Sequence, residues 1–505
     1  MATSRSNTRN KKITRCVVRM YRPGTGDFFV LKFFAGRQLT FKMMIDAGVW
    51  QGSKDVLSEY VEDLINYTDG HIDLLVVTHE HRDHVLLFNR CEELFTENIT
   101  IDKLWLAWTE NDGDTEVEKW KKEHGEKKIA LSLASDKLNE LIKDNSIQKS
   151  FGDDFYADQM FRARKNFTEV LNGFAELHAT KEEKKYKGGL KGMEVVKKKL
   201  NVNEVRYCNQ GDIIEELEGA FGIKFYILGP PSVYEAVHLE SGDKEESYQH
   251  NKELDESDLF AASMFKENND NLDDNLIPFD RGYLAATKST EIDAVYRQES
   301  WRMIDYDWLM SAGSLALRMN SLTNNLSLAM AIEFEASGRV MLFPGDAEFG
   351  SWKSWHTIPW TGKGRDEDKH LTEDLLNRTV FYKVAHHLSH NGTAKSIGLE
   401  MMNHKNLVSM ASLDYKKISN GWKSTMPNRA IINELLKRTK GRLILMNDED
   451  IFYDFDDQIK LEDKILEARE KMTSSEKRNF SRSFKKHKPA SADNKVLYYD
   501  YSVKS

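Results

Sequence analysis

The chain has 505 residues, 40% of them hydrophobic and 30% charged, with a net charge of −9. That length can bury one elaborated core or two to three ordinary ones, and the acidic balance argues against a broadly basic nucleic-acid coat. Cys16, Cys91 and Cys208 form no Cys-x-x-Cys pair and no apolar run is long enough to span a bilayer, so a cytoplasmic protein with no membrane partner is expected.

Residues 1–14 are polar and basic and read as a flexible tail. Cys16 to Met20 and Phe28 to Phe34 read as strands joined by the turn Pro23-Gly24-Thr25-Gly26-Asp27. Leu39 to Ile45 reads as a third strand, ending in Asp46-Ala47-Gly48, and residues 53–67 read as a helix. Leu74 to Val77 is a buried strand that runs into Thr78-His79-Glu80-His81-Arg82-Asp83-His84. Alternate side chains of an extended segment share a face, so His79, His81 and Asp83 can point together; His84 joins them if the chain turns. Imidazole and carboxylate are the ligand types that hold divalent transition metals, and a metal site is expected here.

Lys103 to Trp108 reads as the next strand. Residues 114–200 carry helical periodicity, at Lys127 to Leu141 and Phe155 to Ala179, and read as a helical insertion beside the core. The insertion is a candidate docking face for a protein partner. Its lysine-rich stretch, Lys181 to Lys199, reads as a solvated helix face, with contact to a phosphate backbone as the alternative. Ile223 to Leu228 reads as a strand before Gly229-Pro230-Pro231, and the acidic residues 240–300 as a surface excursion. A hairpin, Leu326 to Phe334 and Val340 to Phe343, leads to Gly345-Asp346. The strand Val380 to Ala385 leads to His386-His387-Leu388-Ser389-His390. Leu407 to Ser412, a helix from Pro427 to Leu436, and Arg442 to Leu445 follow; residues 466–505 read as a basic extension with a solvated tail at Lys477 to Lys488.

The His-x-His-x-Asp-His run, followed in order by Asp346 and by His386-His387, resembles the metallo-β-lactamase superfamily. Gly24-Thr25-Gly26-Asp27, Gly229-Pro230-Pro231, Asn325-Leu326-Ser327-Leu328, Gly345-Asp346-Ala347-Glu348 and Lys383-Val384-Ala385-His386-His387 are most similar to the ComEC-like soluble hydrolase group, over residues 15–110 and 205–450. The resemblance implies an α+β fold, a four-layer αββα sandwich over residues 15–465, interrupted by the two insertions. It implies one or two divalent ions, Zn or Mn. His79 and His81 would hold the first ion, Asp83 and His84 the second, and Asp346 would bridge them. His387 or His386 would complete the second, and Asp46 would orient a ligand histidine. Asp83, His386 and His390 are the candidate catalytic groups, with the Ser389–Thr393 loop offering donors to an oxyanion.

Three departures stand out. His81 replaces the aspartate usual in the group, and Met426-Pro427 replaces its His-Pro. The superfamily's third histidine for the first ion has no evident counterpart. His124, His178, His238 and His250 are the histidines in the right interval, and each reads as an exposed residue of an insertion. Glu110 is an alternative oxygen ligand. The expected activity is metal-dependent phosphodiester hydrolysis, as a nuclease acting on nucleic acid. The alternatives are a small-molecule hydrolase of a nucleotide, thioester or lactone, and a partly degenerate partner-binding module.

Overall fold

The computed structural model describes residues 11–143, 155–182, 185–188, 191–232, 234–237, 239, 246, 309, 312–361, 370–418, 423, 426–447, 451–454, 458–487 and 495–505. The acidic excursion expected at 240–300 (apart from residue 246), residues 1–10 of the N-terminal tail, and His238 and His250 lie outside the described residues.

The first half of the chain builds β1 (Arg15–Tyr21), β2 (Phe29–Ala35), β3 (Gln38–Ile45), α1 (Lys54–Thr68), β4 (His71–Val76), α2 (Arg82–Arg90), α3 (Glu92–Asn98) and β5 (Thr100–Ala107). The region expected as an insertion holds α4 (Thr115–Lys143), α5 (Phe155–His178), the hairpin β6 (Ala179–Glu182) and β7 (Lys185–Gly188), and α6 (Lys191–Lys198). The lysine-rich stretch is therefore hairpin and helix, not one solvated helix face. Next come β8 (Asn201–Cys208), β9 (Ile213–Ile214), β10 (Ile223–Ile227), α7 (Tyr234–Val237), α8 (Ala312–Asn325), β11 (Met330–Phe334), β12 (Arg339–Phe343), α9 (Phe349–Trp355), α10 (Leu371–Asn377) and β13 (Thr379–Lys383). The last part contains β14 (Val408–Asp414), α11 (Arg429–Thr439), β15 (Leu443–Asn447), β16 (Phe452–Asp454), β17 (Ile459–Lys460), α12 (Leu461–Glu470), α13 (Ser474–Ser483), β18 (Phe484–Lys486) and β19 (Tyr498–Lys504).

These strands form two large mixed sheets, in the order β18-β19-β1-β2-β3-β4-β5-β8 and β15-β14-β13-β12-β11-β10-β9. An α+β architecture results. One apolar layer, with Phe29, Leu31 and Met43 from the first sheet and Phe225, Ile332, Met341 and Phe381 from the second, fills the space between them. Helices cover both outer faces. Leu57, Val61, Val85, Phe88 and Phe95 pack α1, α2 and α3 on the first sheet. Leu131, Leu171, Leu315, Trp352 and Leu435 pack α4, α5, α8, α9 and α11 on the second. Each fully buried side chain of this kind contributes about 1.5–3 kcal/mol against the entropy of ordering the chain.

Each sheet is antiparallel on one side and parallel on the other. β3, β4, β5 and β8 run parallel in the first sheet. β12, β13, β14 and β15 run parallel in the second. The chain segments leaving the carboxyl ends of β3, β4, β12 and β13 carry Asp46, His79 to His84, Asp346 and His386-His387 respectively.

The C-terminal residues differ from the expected tail. β19 pairs with β1 from Arg15↔Lys504 to Tyr21↔Tyr498. β18, from the basic stretch, pairs with β19 in turn. Phe480 of α13 is buried in the layer between the sheets. The positive charges ride on ordered elements because Phe480, Tyr499 and Val503 are anchored beneath them. No helix among the described residues is long and apolar enough to cross a membrane.

Candidate metal centre

The metal loop is not one extended segment. α2 begins at Arg82, directly after His81, so Asp83 and His84 stand in its first turn. Strand alternation therefore explains His79 and His81 but not Asp83, whose carboxylate instead suits the positive end of the helix. Two backbone segments clamp this turn through three hydrogen bonds. Asp27 N–H donates to Asp83 O at 2.9 Å, Ala47 N–H to His84 O at 3.0 Å, and Leu87 N–H to Ala47 O at 3.0 Å.

The clamp needs glycine at two positions. A Cβ on Gly26 (φ 142°) would lie 2.6 Å from Asp83 O, and one on Gly48 would lie 1.8 Å from it. Gly48→Ala is expected to cost about 3 kcal/mol or more, because backbone rather than a flexible side chain must move. It should also lower metal content. Gly125→Ala, in α4, meets nothing within 4 Å and serves as the control. Denaturant midpoints of the two variants decide the matter; equal midpoints refute the clamp.

Asp83, His84, Asp346 and His387 are buried and each offers one ligand atom, all within 4.8 Å of one another. His84 Nε2 is 3.1 Å and His387 Nε2 3.3 Å from Asp346 Oδ2. His387 Nε2 also lies 3.1 Å from Asp83 Oδ2. On the far side of each ring a fixed acceptor holds the other nitrogen. His84 Nδ1 donates to Asp46 Oδ2 at 2.8 Å, while Thr78 donates to Asp46 through both its N–H and its hydroxyl, each at 2.7 Å. His387 Nδ1 donates to Ser412 Oγ at 2.9 Å, and Ser412 Oγ donates to Asp27 Oδ1 at 2.5 Å. Both histidines thus present Nε2 to the centre, the orientation that metal-ligating imidazoles use.

Asp346 is held from behind as well. Lys383 Nζ donates to Asp346 Oδ1 at 3.2 Å and to Gly345 O at 2.9 Å, and forms an ion pair with Asp27. Ser327 Oγ accepts the Asp346 N–H at 3.0 Å. Burial opposes every charge here, yet opposite charges outweigh it. Asp83 is held down to about 2 against burial, by the His387 hydrogen bond and by His84. His387 is pushed up to about 9 against burial, chiefly by Asp346. His84 rises above the usual imidazole range against burial, under Asp346 and Asp46.

His79 and His81 form the adjoining group. His79 Nε2 and His81 Nδ1 meet at 3.0 Å, and His79 Nδ1 lies 3.2 Å from Ser327 Oγ. His178, expected to be exposed, is 1% exposed. Its ring centroid lies 4.7 Å from that of His81. Neither ring nitrogen of His178 has a hydrogen-bond partner, and His81 Nε2, His84 Nε2 and Asp83 Oδ1 lack a well-directed one too. Burial pushes His79, His81 and His178 well below the usual imidazole range, so all three keep neutral rings. Buried neutral imidazoles with unpartnered ring nitrogens are costly without an ion and suit one.

His124 is likewise buried rather than exposed, but its Nε2 meets Thr323 Oγ1 at 3.1 Å. Glu110 is engaged by Lys121 at 3.3 Å and by Lys197, away from the histidines. The insertion is tied to the metal loop by the Lys128–Glu80 ion pair and by Arg82 Nη1 to Glu176 Oε2 at 2.7 Å.

His386 and His387 point apart. His386, His387 and Leu388 all have positive φ, at 45°, 50° and 69°, a strained conformation costing about 1–3 kcal/mol per residue. The turn sends His387 to the carboxylates and His386 towards α8. There His386 Nδ1 donates to Asn391 Oδ1 at 3.0 Å, and its Nε2 lies 3.5 Å from Asn324 Nδ2. His386 is therefore not one of the converging ligands; burial holds it down to about 4, as a neutral ring. His390 is half-buried, its Nδ1 3.4 Å from Ser389 Oγ, and does not line the cavity at the centre. That cavity measures about 20 Å³, room for one water molecule, and its lining includes His81, Asp83, Asp346, His386 and His387 together with Trp50, Leu177, Asn320 and Met426.

An α+β protein with a buried His/Asp cluster able to hold a metal ion is what the fold and the site define. No family model, curated protein or solved structure matches the chain.

Proposed function

We propose that this chain is a metal-dependent hydrolase of phosphodiester bonds, working on a metallo-β-lactamase-type αββα framework. The observation that carries the reading is the convergence of Asp83, His84, Asp346 and His387, with His84 and His387 oriented by Asp46 and Ser412. These four residues would hold one divalent ion, Zn or Mn. His79 and His81, with the His178 ring beside His81, would supply donors to another. Such ions supply Lewis acidity and lower the pKa of water to about 7. The chain's own residues do the rest. Asp46 and the Ser412–Asp27 pair fix two imidazole tautomers, Lys383 aims Asp346, and His386 faces the cavity as a neutral ring able to bind or relay a proton.

A nucleic-acid strand is the first substrate to test. The net charge of −9 counts against a long nucleic-acid strand and makes a small nucleotide-like substrate the second reading. The partner-binding alternative is disfavoured by the unbroken set of oriented donors.

The test is cleavage of labelled single- and double-stranded DNA and RNA, and of small phosphodiesters, by metal-stripped protein given Mn²⁺, Zn²⁺ or Mg²⁺. A His79→Ala, Asp83→Ala double variant runs alongside. Metal-dependent cleavage lost in the variant supports the reading; a metal-loaded wild type that cleaves none of them refutes it. His178→Ala should bind about one ion fewer per chain by elemental analysis. Unchanged metal content would remove His178 from the ligand set.

A further inference from the structure

The last turn and a half of α8 is unusually polar for a buried helix: Asn320, Ser321, Thr323, Asn324 and Asn325 are all at most 5% exposed. Four of the five have structural duties. Ser321 Oγ donates to Glu348 Oε2 at 2.5 Å, and Asn324 Nδ2 to Glu348 Oε1 at 2.6 Å. Thr323 Oγ1 meets His124 at 3.1 Å. Asn325 Nδ2 donates to Val237 O at 3.0 Å, and its Oδ1 accepts from Glu348 N and Ser351 N.

Asn320 is the exception. Its Oδ1 is buried with no hydrogen-bond partner. Asn324 Oδ1 also lacks one, but that amide is already committed through its nitrogen. The Asn320 side chain lines the cavity at the metal centre, facing Asp83, Asp346, His386 and His387. A buried amide oxygen left unsatisfied is costly, and no protein group offsets that cost here. Asn320 sits one helical turn before Asn324, on the face directed at His386.

We propose that Asn320 is a substrate-binding residue, its side-chain amide gripping a non-bridging oxygen of a tetrahedral, phosphate-like oxyanion beside the metal centre. A half-turn about Cβ–Cγ presents its two N–H donors where Oδ1 now stands. Donors aimed at oxyanion oxygens in a water-poor site bind far more strongly than in water. The inference rests on the reading of the cluster as an oxyanion-processing metal centre.

Calorimetric titration of inorganic phosphate into Mn²⁺-loaded protein tests it, with wild type, Asn320→Leu and Asn320→Asp. Leucine has nearly the same size and removes an unsatisfied polar group, so Asn320→Leu should keep its metal content and melt at or above the wild-type temperature. Its phosphate affinity should fall about 10- to 100-fold, the worth of a hydrogen bond to a charged group. Asn320→Asp should bind more weakly still, by like-charge repulsion. Phosphate affinity of Asn320→Leu within twofold of wild type overturns the proposal, as does a lower melting temperature with unchanged affinity. A wild type that binds no phosphate overturns it too. Phosphate binding that depends on Asn320, in a protein that cleaves no phosphodiester, upholds this proposal and rejects only the activity proposed above.

Discussion

Asp346→Ala is expected to abolish metal binding at the Asp83–His84–His387 position and to lower the proposed hydrolysis at least about a hundredfold. Residues that merely orient metal ligands cost 10–100-fold when removed, and Asp346 stands closer than that. Its Oδ2 is within 3.3 Å of both His84 Nε2 and His387 Nε2, and its Oδ1 takes the ammonium of Lys383. Alanine leaves two imidazoles and a lysine facing Asp83, Asp46 and Asp27 with no carboxylate between them. Elemental analysis and the melting shift on adding Zn²⁺ or Mn²⁺ report the outcome. A variant that retains the wild-type metal content and melting shift would show that Asp346 is not a ligand.

The second large effect is on stability against pH. In the metal-free protein, His84 and His387 titrate above the usual imidazole range, His387 at about 9. A raised folded pKa contributes stability that is full below the unfolded value of about 6.5 and is lost as pH rises through about 9. For His387 alone the loss is on the order of 3 kcal/mol. His79, His81, His178 and His386 are shifted the other way, His386 to about 4. Their contribution is present above about 6.5 and is lost as pH falls towards about 4. Metal-free protein should therefore be most stable near pH 6.5. Metal-loaded protein should behave differently above that point, because an ion displaces protons from His84 and His387 and binds more tightly as pH rises. The gap in melting temperature between loaded and chelator-treated protein should widen from pH 6.5 to 9. A constant gap, or metal-free stability that rises over this range, would contradict the charge arrangement described.

Much of this was legible in the sequence because the signals are local. β2, β3, β4, β12 and β13 are short apolar runs bounded by turn residues, and the donor residues sit at their ends. What was missed depended on longer range or on competing signals. His178 reads as exposed because it lies within a charged insertion, 94 residues beyond the last histidine of the metal loop. Leu171, Phe174 and Ala175 precede it at helical spacing on one buried face, and that spacing places His178 on the same face. Asp83 was assigned to strand alternation, since nothing in six residues shows where extension gives way to helix. The pair His386-His387 gives no hint of left-handed backbone, so which ring turns to the carboxylates was open. α8 went unread: its polar end looks like a loop until Glu348 and His124 are seen to bind it. The basic stretch before β19 suggested a solvated tail, while Tyr498, Tyr499 and Val503 carried the opposite message.

That final strand has a consequence for how the molecule is made. β1 is synthesised long before one of its two neighbours, β19, with Arg15 meeting Lys504. Until then one long edge of β1 has no partner, an open template for pairing with another chain. Closing so wide a separation in sequence is slow, since its entropy must be met before the contact rewards it. The Asp27 turn that clamps the metal loop joins β1 to β2, so until β19 docks, the strand leading into that turn carries an open edge.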